Sequence, residues 1–133
     1  MRVRLEKPPF GLYERAEKQF GVVWEDGVVF TVSDIVYSPY SITPDLLVHE
    51  KTHEKQQRVI GTKLWWEKYF DDEPFRLEQE LEAYRAQYAY LKATMKDREK
   101  LFKKLHFICS KLSGTMYGNI ISYSEAMEKI KNL

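Results

Sequence analysis

The sequence predicts an α+β fold that is mostly helical, with a small antiparallel sheet near its N-terminal end. Three observations carry this. β-branched and aromatic runs crowd residues 22–37, where Val22-Val23-Trp24 and Val28-Val29-Phe30-Thr31-Val32 flank Glu25-Asp26-Gly27. From Pro44 onward, capping residues and apolar stripes at helical spacing follow one another almost without a break. At 133 residues and 44% hydrophobic, the chain is long enough for one real core, so a single domain spanning 1–133 is expected.

Residues 1–9 read as an irregular arm with Pro8-Pro9, and Leu12 to Phe20 as a short helix stopped by Gly21. The apolar runs around Glu25-Asp26-Gly27 predict a hairpin, because an Asp-Gly pair suits the positive φ of tight turns. Ile35-Val36-Tyr37 is a candidate third strand, and Ser38-Pro39-Tyr40-Ser41 a loop. Thr43-Pro44-Asp45 opens a helix that Gly61 ends: Thr43 is the N-cap, Pro44 sits where no N–H is needed, and Asp45 favours the first turn. A helix over Lys63–Phe70 carries Trp65-Trp66 into the core. Asp71-Asp72-Glu73-Pro74 interrupts it and starts a long helix to about Thr94, with Leu77, Leu81, Tyr84, Tyr88 and Leu91 as its apolar stripe. Asp97 to Leu112 repeats the pattern with Leu101, Leu105, Ile108 and Leu112, closed by Ser113-Gly114. Thr115 to Asn119 is a turn, and Ser122-Tyr123-Ser124-Glu125 matches a capping box opening a last helix to about Lys131.

The helix after Thr43 holds His49-Glu50-x-x-His53, the HExxH pattern. Residues four apart on a helix lie one above the other, so both imidazoles can reach one zinc ion. Glu50 lies beside them, placed to accept a proton from metal-bound water. At ~100° per residue, Leu46, His49, Glu50, His53, Gln57 and Ile60 share one face, while Lys51, Lys55 and Arg58 lie on the other. The motif therefore points the same way as the apolar residues, toward the core.

Composition narrows the alternatives. With 21 basic against 20 acidic residues and a net charge of +1, the chain lacks the basic excess of a nucleic-acid binder, and Lys103-Lys104 with its neighbours is too short a cluster to supply one. No apolar run is long enough to span a membrane. The first residues contain no apolar signal segment, and the lone Cys109 fits a reducing compartment, so a cytoplasmic location is expected.

A catalytic zinc usually has three protein ligands and a water. The long helix offers Glu78, Glu80 and Glu82. Measured from a stripe centred near Leu77, Glu80 lies ~60° away, Glu78 ~100° and Glu82 ~140°, which favours Glu80 and leaves the other two as alternatives. His106, beside the stripe of its own helix, is a further competitor.

His49-Glu50-x-x-His53 followed by Glu80-x-Glu82-Ala83 on a later helix resembles the gluzincin branch of the zincin metallopeptidases. The chain also resembles small HExxH proteins encoded by phages and prophages, through Leu112-Ser113-Gly114-Thr115-Met116-Tyr117-Gly118-Asn119-Ile120-Ile121-Ser122. The likeness spans roughly residues 28 to 125. It implies a zincin-like packing of the sheet on the HExxH and glutamate helices. It also implies one zinc per chain on His49, His53 and Glu80, and hydrolysis of a peptide or protein substrate with Glu50 as base. In such peptidases an edge strand beside the cleft pairs with extended substrate. Many gluzincins carry an Asp four residues after the ligand glutamate to orient a zinc histidine. Here Tyr84 stands there, a departure that leaves Gln56, Gln57 and Tyr84 as candidates for that role. Tyr84 and Tyr117 are candidate donors to the transition state. The rival expectations are a non-enzymatic phage structural or host-interaction protein on the same fold, and a peptidoglycan endopeptidase.

Overall fold

The computed structural model describes residues 1–131. The elements run β1 (Arg2–Arg4), α1 (Leu12–Phe20), β2 (Phe30–Val32), β3 (Ile35–Tyr37), α2 (Pro44–Ile60), α3 (Thr62–Asp71), α4 (Glu73–Thr94), α5 (Arg98–Leu112) and α6 (Tyr123–Lys131). Short 3-10 turns occupy Trp24–Asp26 and Thr115–Tyr117. The fold is mostly helical with one small sheet, as the sequence predicts.

The sheet differs from expectation in two ways. It is mixed, in the order β1-β3-β2: β2 pairs antiparallel with β3, but β1, drawn from the supposedly irregular arm, pairs with β3 in parallel. The hairpin also closes elsewhere. Val32 pairs with Ile35 across Ser33-Asp34, and Ser33 takes the left-handed φ of 54° that the tight turn requires. The expected turn at Gly27 instead ends the 3-10 turn at Trp24–Asp26. Tertiary contacts outbid strand pairing there. The Trp24 N–H donates to Tyr13 Oη at 3.1 Å, and the indole packs edge-on to the Tyr13 ring on α1.

The helix boundaries follow their chemistry. Asp72 caps α4 by accepting from the Phe75 N–H, and Asp97 caps α5 by accepting from Glu99 and Lys100 N–H. Ser122 Oγ accepts from the Glu125 N–H, one half of the expected capping box of α6, while the Glu125 carboxylate accepts from the Ser122 hydroxyl in place of its backbone N–H. Thr43 occupies the N-cap of α2, but its side chain makes no capping bond. Gly61, at φ 93°, lets the chain leave α2 and enter α3 with no further residue between them.

On α4 the buried face is Arg76, Glu80, Ala83, Tyr84, Gln87, Tyr88 and Leu91, while Leu77 and Leu81 are only half-buried. The true stripe is thus turned ~60° from the one drawn through Leu77, and Glu80 lies near its centre. The turn follows from what α4 packs against: its most extensive contact is with α2, along the face that carries the histidines. Below them, Trp65, Trp66, Tyr69 and Phe70 of α3 form an aromatic floor, with Trp65 stacked on Tyr69 at 5.0 Å.

Candidate metal centre

Three helices and a strand bring the site together. From α2, His49, Glu50 and His53 point inward, as their shared face predicts, at 3%, 4% and 4% exposure. From α4, Glu80 meets them and is equally buried. His49 Nε2 lies 3.1 Å from Glu80 Oε1, His53 Nε2 lies 3.2 Å from the same oxygen, and the two Nε2 atoms are 3.1 Å apart. Glu78 and Glu82 are exposed and outside this cluster. His106 is exposed on α5, with Nδ1 2.7 Å from Tyr123 Oη.

The opposite ring nitrogens decide what this cluster can bind. Nδ1 of His49 faces Gln87 Oε1 at 3.1 Å, and Gln87 Nε2 donates to Asp45 Oδ2 at 2.9 Å. A carboxylate accepts only, so the Gln87 amide must present nitrogen to Asp45 and oxygen to His49. Nδ1 of His53 faces Gln56 Oε1 at 2.8 Å, and Gln56 Nε2 donates to Gln79 O and Glu82 Oε1. That amide is pinned in the same way. Each histidine therefore donates from Nδ1 and, when neutral, turns the Nε2 lone pair inward. Two nitrogen lone pairs and a carboxylate oxygen converge on one point. Three protein donors of a tetrahedral zinc site, at ~2.0–2.1 Å from the metal, stand ~3.3 Å apart. The observed triangle fits that donor set.

The same convergence shows in the protonation of the metal-free groups. Burial works against a charged His53, but the Glu80 carboxylate beside it overrides this and, with Glu50, raises the imidazole to about 9. Burial alone would raise Glu80 too; the charge of the His53 imidazole beside it, with the hydrogen-bonding contacts to both Nε2 atoms, holds it well below the usual carboxylate range. The other Glu80 oxygen accepts from Tyr69 Oη at 2.5 Å. Burial and that carboxylate push the Tyr69 hydroxyl well up, so it stays a donor.

Glu50 stands apart from the triad. Its Oε1 accepts from Thr31 Oγ1 of β2 at 3.0 Å, and its Oε2 lies 4.0 Å from His49 Nε2. Burial raises its carboxyl, against the pull of His49 and His53. Tyr84 packs edge-on to His49, with ring centroids 4.3 Å apart, and its hydroxyl is 2.6 Å from that of Tyr117. Both hydroxyls are raised chiefly by burial and stay protonated. A cavity of 290 Å³ covers the cluster, walled by apolar residues such as Phe20, Val22 and Met116, and reaches the surface at Tyr40 and Phe107.

Of the three candidates for orienting a histidine, Gln56 holds His53, whereas Tyr84 packs on His49 without bonding it. Gln57 serves the scaffold instead: it donates to Thr31 O and accepts from the Ser33 N–H, tying α2 to the hairpin. Trp66 donates to the same Thr31 carbonyl, so that edge of β2 is closed at Thr31. Sequence reasoning missed Gln87, Asp45, Tyr69, Thr31 and Arg76. Gln87 lies two turns after Glu80 on one face, a spacing that could have found it. The others depend on how α3, α4 and β2 cross, which leaves no mark in local sequence. Arg76 is buried, donates to Tyr69 O, Phe70 O and Tyr117 O, and thereby clamps the end of α3 that carries Tyr69.

A scan against protein-family models, a search of curated proteins and a search of solved structures each found no match. The chemistry must be read from the site itself.

Proposed function

We propose that this chain is a zinc-dependent peptidase of the zincin type, with one zinc held by His49, His53 and Glu80. The observation that carries the reading is the pinning of both glutamine amides, which turns two Nε2 lone pairs and the Glu80 carboxylate onto one point. A zinc there supplies a water of lowered pKa and polarises a carbonyl. Glu50 is the base: it takes a proton at Oε2, beside but outside the triad, and returns it to the leaving amine. Thr31 fixes the other Glu50 oxygen, so the proton is handled at a defined atom. The Tyr84 and Tyr117 hydroxyls share one hydrogen bond, which uses one of their two protons. The second proton is free to donate to an oxyanion in the cavity. Peptide as the substrate comes from the resemblance to gluzincins; the residues by themselves support hydrolysis by an activated water.

One observation favours a different reading. The cluster is almost closed to solvent and joins β2, α2, α3 and α4 through ion pairs and hydrogen bonds. A non-enzymatic scaffold, with or without metal, would use it for that alone. Metal analysis of purified protein, followed by an activity screen on peptides and murein fragments, separates the two. The peptidase carries close to one zinc per chain, and Glu50→Gln keeps that zinc and loses hydrolysis. Zinc-free protein after zinc-replete expression, or unaltered activity in Glu50→Gln, overturns the reading.

A further inference from the structure

The cavity over the triad reaches the surface beside α5. Phe107, 58% exposed, and half-buried Lys111 line it there, with Lys111 Nζ 5.4 Å from the Phe107 ring centroid. Both belong to a longer stripe. Lys100, Lys104, Phe107 and Lys111 recur at helical spacing and lie within ~60° of one another around the helix, with Lys103 alongside.

This helix concentrates charge. Arg98, Lys100, Lys103, Lys104 and Lys111 are basic, Glu99 alone is acidic, and among the described residues none of these cations forms an ion pair. The whole chain carries only +1, so the remainder is net acidic. Three acids lie near the stripe. Asp97 caps its first turn, accepting from the Lys100 N–H. Asp45, engaged by Gln87, has its pKa lowered in part by Lys104, and Asp26 also lines the cavity. None of the three pairs with the lysines among the described residues.

A row of free lysines around an exposed aromatic suits an anionic ligand with apolar contact surface. The stripe runs into the cavity that holds the triad, so its ligand is the molecule whose reacting part lies inside. A cavity of 290 Å³ takes a side chain or a short extended segment, which fits a polypeptide and excludes a duplex. We propose, resting on the peptidase reading, that the substrate is a polypeptide with Asp or Glu side chains flanking the cleaved bond. It lies along α5, with Lys104 and Lys111 as the specificity-determining cations.

The test uses zinc-loaded Glu50→Gln protein and fluorescein-labelled peptides with one apolar centre flanked by Glu, Gln or Lys, read by anisotropy. The Glu peptide binds about tenfold tighter than the Gln peptide, the scale of two or three exposed ion pairs, and high salt removes the difference. Lys104→Glu with Lys111→Glu reverses the order in favour of the Lys peptide at unchanged zinc content. Lys111→Glu alone, two helical turns from the Asp45 neighbour Lys104, reduces the preference. Equal affinities for the Glu and Gln peptides, or a preference that survives charge reversal, overturn the proposal. So does lysine-dependent binding to anionic vesicles or an oligonucleotide that exceeds binding to the Glu peptide. Wild-type hydrolysis of the same peptides separates this from the peptidase reading. Cleavage of Glu and Gln peptides at equal kcat/KM leaves the peptidase and removes this inference. The binding preference without any cleavage removes the peptidase and leaves α5 as an acidic-peptide docking surface.

Discussion

Gln87 accepts from His49 Nδ1 at 3.1 Å while its own nitrogen is held by Asp45, so one amide dictates which face of the imidazole looks into the site. Outer hydrogen bonds of this kind typically change metal affinity by ~10–100-fold when removed. Gln87→Leu keeps the bulk of the side chain and loses the lock. Zinc affinity, read by competition with a chelator, should fall by about that factor. Asp45→Asn should cost less, since it only frees the amide to turn over. Wild-type affinity in Gln87→Leu would show that the tautomer is set elsewhere.

The proposed third zinc donor, Glu80, separates cleanly from its neighbours on α4. Glu80 is buried against both histidines, and Glu78 and Glu82 are exposed. A metal that binds only the folded chain raises its stability by mass action. Thermal melts with and without zinc should show the zinc-dependent rise shrinking sharply in Glu80→Ala. Glu78→Ala should leave it intact, and Glu82→Ala should lower it slightly through the lost Gln56 contact. The opposite ranking of Glu80 and Glu82 would transfer the assignment to Glu82.

Arg76 is a buried cation satisfied by carbonyls: Tyr69 O at 2.7 Å, Phe70 O at 3.3 Å and Tyr117 O at 2.9 Å. Arg76→Met removes all of these donors and leaves the carbonyls facing an apolar chain. Urea unfolding should show a loss of roughly 3 kcal/mol. Arg76→Lys should recover little, because a single ammonium cannot span both segments as a guanidinium does. A loss below ~1 kcal/mol would mean that water replaces the guanidinium without strain.

Cys109 is fully buried, and burial pushes its thiol up to about 11. The thiolate is the reactive form, so iodoacetamide at mildly alkaline pH should leave the folded protein unmodified and label it rapidly after denaturation. The same shift sets a pH dependence. Between the ordinary thiol value of 9.0 and about 11, the unfolded chain gives up a proton that the folded chain keeps. Its contribution to stability is complete below that window and is lost as pH rises through it. Cys109→Ala should flatten this alkaline decline. Rapid labelling of the native protein would contradict the burial.

Much of this molecule was legible along the chain. Local chemistry marks the helix ends, and the bonds made by Asp72, Asp97 and Ser122 realise what those residue types favour at a helix start. The spacing of His49, Glu50 and His53 puts them on one face, and they are buried together. Angle alone favours Glu80 over its neighbours, yet from a stripe centred near Leu77 rather than on the buried face. Counting apolar positions treats Arg76, Glu80 and Gln87 as solvent-facing, whereas all three are buried. Their burial is stable because each meets a partner on another element, which no window along α4 contains.

The chain's own periodicities and capping residues therefore determined the helices, the shared face of the HExxH motif and the proximity of Glu80 to the core side of α4. Both kinds of signal act between residues a turn or two apart, where covalent geometry alone sets who meets whom. Tertiary structure decided the rest. Tyr13 drew Trp24 out of the expected hairpin, and β3 paired in parallel with a strand from the N-terminal arm. The crossing of α2, α3 and α4 brought Gln87, Gln56 and Tyr69 to the atoms they hold. Hydrogen bonds between distant residues depend on where whole elements pack, and packing is fixed by the combined burial of the core rather than by any one stretch of sequence.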